Sequence, residues 1–290
     1  MRFEQTYTTY RPLLHSIAYR MLGSLSEAED LVQDVFADYS LLETGIIHNE
    51  KAYLVRMVTN RSLNVSQSAR KRKEVYVGEW LPEPAMGSAE LDPAELYVEH
   101  ESVSYALLVM LEKLSAIERA VFILRESLQY DYAEIAACLQ LKEPNCRKIF
   151  SRAKDKLHKE RNRLPINTTK AEPLVTAFIN ATASGNFDRL VTLLTEEAIL
   201  VSDGGGKVRA AIFAIISKAR VLAFLEGVTK RNFLGDGHQF ADINGQAGII
   251  IRQDGKIQSV LSFQLDESEQ KIERIFVVLN PDKLTHVKLD

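Results

Sequence analysis

The sequence predicts a multidomain chain: two all-α modules, then an α+β module whose antiparallel sheet curls around a pocket. Three observations predict it. Apolar residues recur at helical spacing from residue 3 to about residue 158. A stretch rich in proline, glycine and acid, residues 75–93, interrupts that pattern. After Lys170 short strand-like runs take over, separated by Asn244–Gly245 and Asp254–Gly255, both good two-residue hairpin turns. Helices followed by a sheet of hairpins is the order of an α+β domain. The expected boundaries are 1–74, a linker over 75–93, 94–164, and 165–290.

The first helix is expected over residues 3–22, with Leu13, Leu14, Ile17, Ala18, Met21 and Leu22 inward and Gly23 ending it. Ser26 and Glu29 offer a capping box for a second helix striped by Leu31, Val32, Val35, Phe36 and Tyr39. Its other face carries Asp30, Gln33, Asp34 and Asp38. A third helix, from about Glu50 to Arg72, buries Tyr53, Leu54, Met57, Val58 and Leu63, with Asn60, Arg61, Asn64, Gln67 and Arg70 available outside.

Residues 94–113 and 115–128 form two further helices, split near Ser115. They lead into Tyr132–Glu160, which reads as two helices joined by a short turn. Ile135, Leu139 and Leu141 close the first helix onto the second, and Pro144 suits the first turn of the second. From there Cys146, Ile149, Ala153 and Leu157 form a buried stripe. The opposite face shows Asn145, Arg147, Lys148, Ser151, Arg152, Lys154 and Lys156. This is the pattern of a helix-turn-helix presenting amide and guanidinium groups to a major groove; a solvated basic helix is the plainer alternative.

In the last third, helices are expected over 171–184 and 187–194, and a strand over Ala198–Ser202 that ends in DGGGK (203–207). A long apolar helix should follow to about Leu225, then strands at RNFL, HQFADI, AGIIIRQ, KIQSVLSFQL and KIERIFVVL.

Composition bounds the function. At 290 residues and 46% hydrophobic, the chain can bury real cores. No run approaches the ~20 apolar residues of a membrane span, and the N-terminus lacks the apolar region of a signal peptide. Two cysteines, Cys138 and Cys146, form no disulfide framework and suit a reducing cytoplasm. The net charge of −3 hides segregation: residues 56–74 hold six basic side chains against one acid, and residues 79–101 hold seven acids and no Lys or Arg. Two basic regions flanking an acidic one suggest two nucleic-acid contacts with a segment of opposite character between them.

DGGGK does not meet the phosphate-loop pattern, because Val208 follows Lys207 and the upstream glycine is missing. Three glycines there suggest a turn or a close backbone approach. The six histidines are scattered without metal-ligand spacing. Asp203, Asp236, His238 and Asp242 are the only acid–base candidates in the C-terminal module, and none forms a convincing pair. No catalytic residue, metal or cofactor is expected.

With these motifs in view, the chain resembles the extracytoplasmic-function sigma factors of bacterial RNA polymerase. It is most similar to the subgroup with a fused SnoaL-like C-terminal domain. YRPLLHSIAYRMLGSLSEAEDLVQDVF resembles the start of a sigma-2 helical bundle, and LSAIERAVFILRESLQYDYAEIAACLQL with NCRKIFSRAKDKL resembles sigma-4. The subgroup's markers WLPEP (80–84), DGGGK (203–207) and NPDKL (280–284) are present in order, so the resemblance spans essentially the full length. It implies a sigma-2 bundle, a sigma-4 helix-turn-helix and a SnoaL-like cone with a curved antiparallel sheet.

The resemblance also implies partners: core RNA polymerase and promoter DNA, with no membrane. Asp30, Gln33, Asp34 and Phe36 would dock on the β′ clamp helices, and sigma-4 on the β flap. Asn60, Arg61 and Asn64, with Arg70, Lys71 and Arg72, would engage the −10 element as it melts. Asn145, Arg147, Lys148, Ser151, Arg152 and Lys154 would read the −35 element. The C-terminal domain would stand in for a separate anti-sigma protein. Its regulatory contact would run through Trp80, Leu81 and Pro82, through Asp203, Gly204, Gly205, Gly206 and Lys207, and through Asn280, Pro281, Asp282 and Lys283. The cone's pocket could take a small ligand of unknown identity, which the sequence does not require.

Two other classes compete. A one-component regulator would bind an operator through the helix-turn-helix and sense a ligand in the C-terminal pocket, but it needs neither the Asp30/Gln33/Asp34 face nor the acidic linker. A cyclase- or isomerase-like enzyme fused to a DNA-binding module would need the acid–base pair that is missing.

Overall fold

The computed structural model describes residues 2–42, 47–87, 104–161 and 171–288. The chain forms two compact units. One is built from Met1–Glu74 and Leu108–Glu160, the other from Val75–Ser88, Val103–Leu107 and Arg161–Asp290. The acids Glu90 and Asp92 of the predicted linker, and residues 94–103 of the helix expected over 94–113 with Glu95, Glu99 and Glu101, lie outside the described residues. Among those described, no helix is long and apolar enough to cross a membrane.

The first unit opens with α1 (Arg2–Leu22), α2 (Leu25–Ser40) and α3 (Glu50–Glu74). Leu14, Ile17, Ala18 and Met21 of α1 are buried with Leu31, Val32 and Val35 of α2 and Leu54, Val55 and Val58 of α3. Gly23 ends α1 in the left-handed region (φ 69°), and its N–H bonds the Tyr19 carbonyl at 2.7 Å. The expected cap at Ser26 is corrected to Ser24, whose hydroxyl accepts from the Glu27 N–H at 3.2 Å. Gly23 turns the chain so tightly that Ser24 is already extended (φ −128°, ψ 127°), the conformation a capping residue needs. Asn49 caps α3 by accepting from the Ala52 N–H at 3.0 Å.

Four further helices follow: α4 (Tyr105–Leu111), α5 (Ala116–Glu126), α6 (Tyr132–Leu139) and α7 (Glu143–Arg161). Reciprocal capping boxes, Ser115 with Glu118 and Asp131 with Glu134, start α5 and α6. Gln140 ends α6 in the left-handed region (φ 54°), and the Lys142 carbonyl accepts from the Asn145 and Cys146 N–H groups to start α7. Cys146, Ile149, Ala153 and Leu157 are buried as the spacing predicts. Arg119 of α5 donates to the Met21 carbonyl at the end of α1 at 2.7 Å, tying the helix-turn-helix module to the first bundle.

The second unit holds α8 (Ala171–Ser184), α9 (Phe187–Leu193), β1 (Leu194–Asp203), β2 (Ile215–Ile216), α10 (Lys218–Thr229) and then β3 (Gly237–Ile243), β4 (Gln246–Gln253), β5 (Lys256–Leu265) and β6 (Ile272–Val278). One six-stranded sheet runs β2-β1-β6-β5-β4-β3. All neighbours are antiparallel except β1 and β6, which pair in parallel through Leu200–Ile275 and Val201–Phe276. β1 and β6 are not joined by a hairpin, since β2, α10 and β3 to β5 lie between them in the chain, which permits that direction. Register shifts between Ile251 and Arg252, and between Gln264 and Leu265, bend the sheet into an open curve. Strand alternation turns Leu261, Phe263 and Leu265 toward Val175, Phe178 and Ile179 of α8, with the Phe178 and Phe263 rings 5.3 Å apart. The neighbouring residue on β6, Phe276, points the other way, against Tyr105 at 5.5 Å.

Two expectations need correction. Residues 208–214 are irregular, not helical, and the helix begins only at Lys218. Ile215 and Ile216 pair with Leu200 and Ile199, and Ser217 at φ 93° breaks the path before the helix starts. RNFL is a set of turns rather than a strand, because Asn232 and Gly235 both adopt positive φ. The two hairpin turns form as expected, with Asn244–Gly245 at φ 55° and 72° and Asp254–Gly255 at 53° and 70°.

Candidate functional site

α7 carries the basic face. Asn145, Arg147, Lys148, Ser151 and Arg152 are exposed and Lys154 is half-buried. Arg147 donates to Glu143 at 2.5 Å, one turn earlier, and its guanidinium lies 4.4 Å from the centre of the Tyr132 ring. Lys156 stays exposed but reaches back to Glu118 at 2.8 Å, so it braces α7 on α5. Burial raises the Glu118 carboxyl, but the hydrogen bonds from Lys156 and Ser115 outweigh it and hold the group below the usual carboxylate range. The two thiols are core groups: burial pushes Cys138 up to about 11, against a hydrogen bond from Thr59 and the nearby Arg56, and also raises Cys146.

The first bundle presents a second surface. Asp30, Gln33 and Asp34 are exposed on α2. Phe36, grouped with them on resemblance, is only 2% exposed and packs its ring 4.7 Å from Tyr7; helical spacing turns it to the core, so it positions α2 rather than displaying itself. The α3 residues are brought partly into play. Asn64 is exposed, but Asn60 donates to the Cys138 carbonyl of α6 at 3.2 Å, and Arg61 pairs with Asp38 and lies 3.9 Å from Asp34. Arg70, Lys71 and Arg72 fall in the last turns of α3, with side chains outside the described residues.

A third constellation lies within the second unit, where a strap of residues 76–87 lies along the sheet domain. Asp203, at the end of β1, is fully buried. Its carboxylate accepts from the Tyr76 hydroxyl (2.6 Å), the Leu81 N–H (2.9 Å), the Gly205 N–H (3.0 Å) and the Lys283 ammonium (2.7 Å). Lys283 also donates to the Leu81 carbonyl and lies 4.0 Å from the centre of the Trp80 ring. Burial, then the hydrogen bond to Asp203 and its charge, pushes the Tyr76 phenol far above its ordinary value, which keeps it a donor. Asn280 donates to the Tyr76 oxygen at 2.8 Å, and Lys207 pairs with Asp282 at 2.6 Å. Pro281 opens a short 3-10 turn that presents Asp282 and Lys283.

The glycines of DGGGK are required by approach. A Cβ on Gly204 would meet the Val208 carbonyl at 2.1 Å, and one on Gly205 the Asn280 amide at 2.3 Å. Gly206, at φ 70°, lies beside Val77. Farther along, Pro82 accepts from the Tyr105 hydroxyl at 2.7 Å, Pro84 bonds His286 at 2.8 Å, and Ala85 exchanges hydrogen bonds with Asn244. Of the predicted linker, residues 81–87 run irregularly along the sheet domain, with one bridge from Met86 to Ile243 of β3.

Sequence reasoning missed Tyr76, Asn244 and His286. Asn244 was visible only as a turn residue; Tyr76 and His286 carry no local signal. The acid–base candidates hold local structure. Asp236 accepts from the Asp254 N–H, Asp242 accepts from the Gly245 N–H, and His238 sits edge-on to Phe240. Among the described residues, no group of three or more His, Cys, Asp or Glu is placed to hold a metal ion.

Comparison with known proteins agrees with this geometry. The family model for sigma-70 region 2 matches residues 6–73, and that for sigma-70 region 4 matches residues 104–157. The chain is 29% identical over 288 residues to the ECF RNA polymerase sigma factor SigJ of Mycobacterium tuberculosis, covering 96% of this chain and 92% of that one. It is 31% identical over 215 residues to the sigma factor SigG of the same species, covering 66% of this chain and 58% of SigG. The crystal structure of M. tuberculosis SigJ superposes with a TM-score of 0.80 at 26% identity, over 98% of this chain and 99% of that one. With a sigma-2 and a sigma-4 domain followed by a helix-and-sheet domain, the chain belongs to the extracytoplasmic-function sigma factors and is close to SigJ over nearly its whole length.

Proposed function

We infer that this sigma factor reads the −35 element with α7 and the −10 element with α3, and docks on core polymerase through the acidic face of α2. The basic side of α7 supports the first assignment: five of its named polar residues are exposed above a stripe buried in the module. Asn145, Arg147 and Lys148 lie in its first turns, the part a recognition helix inserts into a major groove. Asn64, Arg61 and the Arg70–Arg72 run are assigned to the −10 strand. Asp30, Gln33 and Asp34 are assigned to the β′ clamp helices and the sigma-4 module to the β flap. No catalytic role is assigned.

The C-terminal domain modulates output through the strap. The single observation that carries this is that α3, with its −10 residues, ends at Glu74, two residues before Tyr76 enters the Asp203–Lys283 clasp. State changes of the clasp therefore act on the chain that leaves the −10 helix. Regulation is assigned to this clasp rather than to a ligand in the cone, whose core cluster is built from apolar side chains such as Phe178, Leu225 and Phe263.

In-vitro transcription with purified core polymerase tests the reading, comparing the full chain with its Asp203→Asn variant. The expected result is core-dependent initiation at a defined start site, with an output that differs between the two. Duplex binding without core, and no initiation with it, would favour an operator-binding regulator. Equal output from both chains would remove the clasp from regulation.

A further inference from the structure

We propose that Tyr132 is a positioning residue for Arg147, and that it sets base preference at the one promoter position Arg147 contacts. The proposal rests on the reading of α7 as the −35 helix. Tyr132 is the first residue of α6, directly after its Asp131 cap. Its ring meets Phe150 of α7 edge-on at 6.1 Å, and Phe150 stacks on Phe122 of α5 at 6.2 Å, so the ring is fixed by three helices at once. Against this anchored ring stand two guanidinium groups, Arg147 at 4.4 Å and Arg125 at 4.8 Å from its centre.

The two arginines are not equivalent. Arg125 donates to the Tyr130 carbonyl at 2.7 Å and belongs to the turn between α5 and α6. Arg147 is exposed on the basic face and is held at one further point, where a single terminal nitrogen donates to Glu143 at 2.5 Å. Ring and carboxylate together fix the plane and the rotation of the group. A guanidinium has five N–H donors, so one edge engaged by Glu143 leaves another for a base. A planar fork held in this way matches the paired acceptors of guanine in the major groove. A free arginine would have to be ordered when DNA binds; this one is ordered beforehand, so less freedom is lost on contact.

The test uses holoenzyme reconstituted from the full chain and core polymerase, with promoter duplexes substituted one −35 position at a time. Arg147→Ala should flatten base preference at one position. Tyr132→Leu should flatten the same position and weaken binding to the preferred sequence by about threefold, with no change in the salt slope. Tyr132→Phe should restore both, and Tyr132→Leu should add nothing in an Arg147→Ala background. Glu143→Gln, an exposed change that leaves the aromatic stack intact, should give the same position-specific flattening and covers the case in which Tyr132→Leu does not fold.

A uniform loss on all sequences, or full additivity with Arg147→Ala, would overturn the proposal. Normal behaviour of Arg147→Ala beside silent Tyr132→Leu and Glu143→Gln would overturn it alone. An Arg147→Ala holoenzyme with unaltered preference would overturn the reading of α7 and the proposal with it.

Discussion

Lys283 donates to the Asp203 carboxylate across 2.7 Å at a point where Asp203 is fully buried and Lys283 is 6% exposed. A buried ion pair is weak evidence of stability when considered alone, because both charges lose their water. Here each partner is also saturated: Asp203 by Tyr76, Leu81 and Gly205, Lys283 by the Leu81 carbonyl and the Trp80 ring. Removing one partner strands the other. Asp203→Ala should therefore destabilise the second unit by about 3–5 kcal/mol in chemical denaturation. The double variant Asp203→Ala, Lys283→Met should lose less than the sum of the single changes. A loss below ~1 kcal/mol for Asp203→Ala would mean that water reaches the pair.

This arrangement also bears on how regulation is probed. β1 lies between β2 and β6, so a chain ending after Lys207 would leave β1 without either neighbour and expose Leu194, Ala198 and Leu200. Point changes at the clasp leave β2 and β6 in the chain beside β1, so they disturb the sheet less than truncation does.

Glu118 predicts a pH effect in the helix-turn-helix module. Burial raises its carboxyl, and the hydrogen bonds from Lys156 and Ser115 outweigh that and lower it. A carboxyl lowered on folding stabilises above its unfolded value, about 4.3, and the contribution disappears as pH falls through the folded value. The urea midpoint of the native chain should exceed that of Glu118→Gln by a constant margin above pH ~5, and the margin should shrink below pH ~4. A gap that persists unchanged to pH 3 would show that the ion pair is not its source.

What the sequence discloses follows from how local each signal is. The stripe Cys146–Ile149–Ala153–Leu157 and the turns at Asn244 and Asp254 need only their neighbours, and they form as read. The clasp is different, because Tyr76 and Asn280 stand 204 positions apart and no period links them. Its motif residues were nameable from resemblance alone, and Tyr76 and His286 not at all. Residues 208–216 mislead for a physical reason: Val208, Ile212, Phe213 and Ile216 read as an apolar helix face, yet all four are exposed, and the backbone spends Ile215 and Ile216 on β1. Phe36 misled in the opposite direction, since its place beside the acids in sequence is a place beneath them in the helix.

Asp30, Asp34 and Asp38 recur every four residues, a carboxylate ridge along α2, and Arg61 of α3 reaches its far end. Arg61 is one-third exposed and its partners more so, so the pairs contribute no more than ~1 kcal/mol to stability. Their weight is in competition. On the proposed roles, Asp34 offers less of its charge to a docking partner while Arg61 shares it, and Arg61 must leave Asp38 to reach a −10 strand. Asp34→Ala should weaken core binding by roughly fivefold at low salt, with the deficit narrowing as salt screens the contact. Arg61→Ala should leave core binding equal or tighter and weaken holoenzyme binding to a −10 single strand. If Arg61→Ala instead weakens core binding as much as Asp34→Ala, the pair braces α2 on α3, and the acids of the ridge act as scaffold rather than as a docking face.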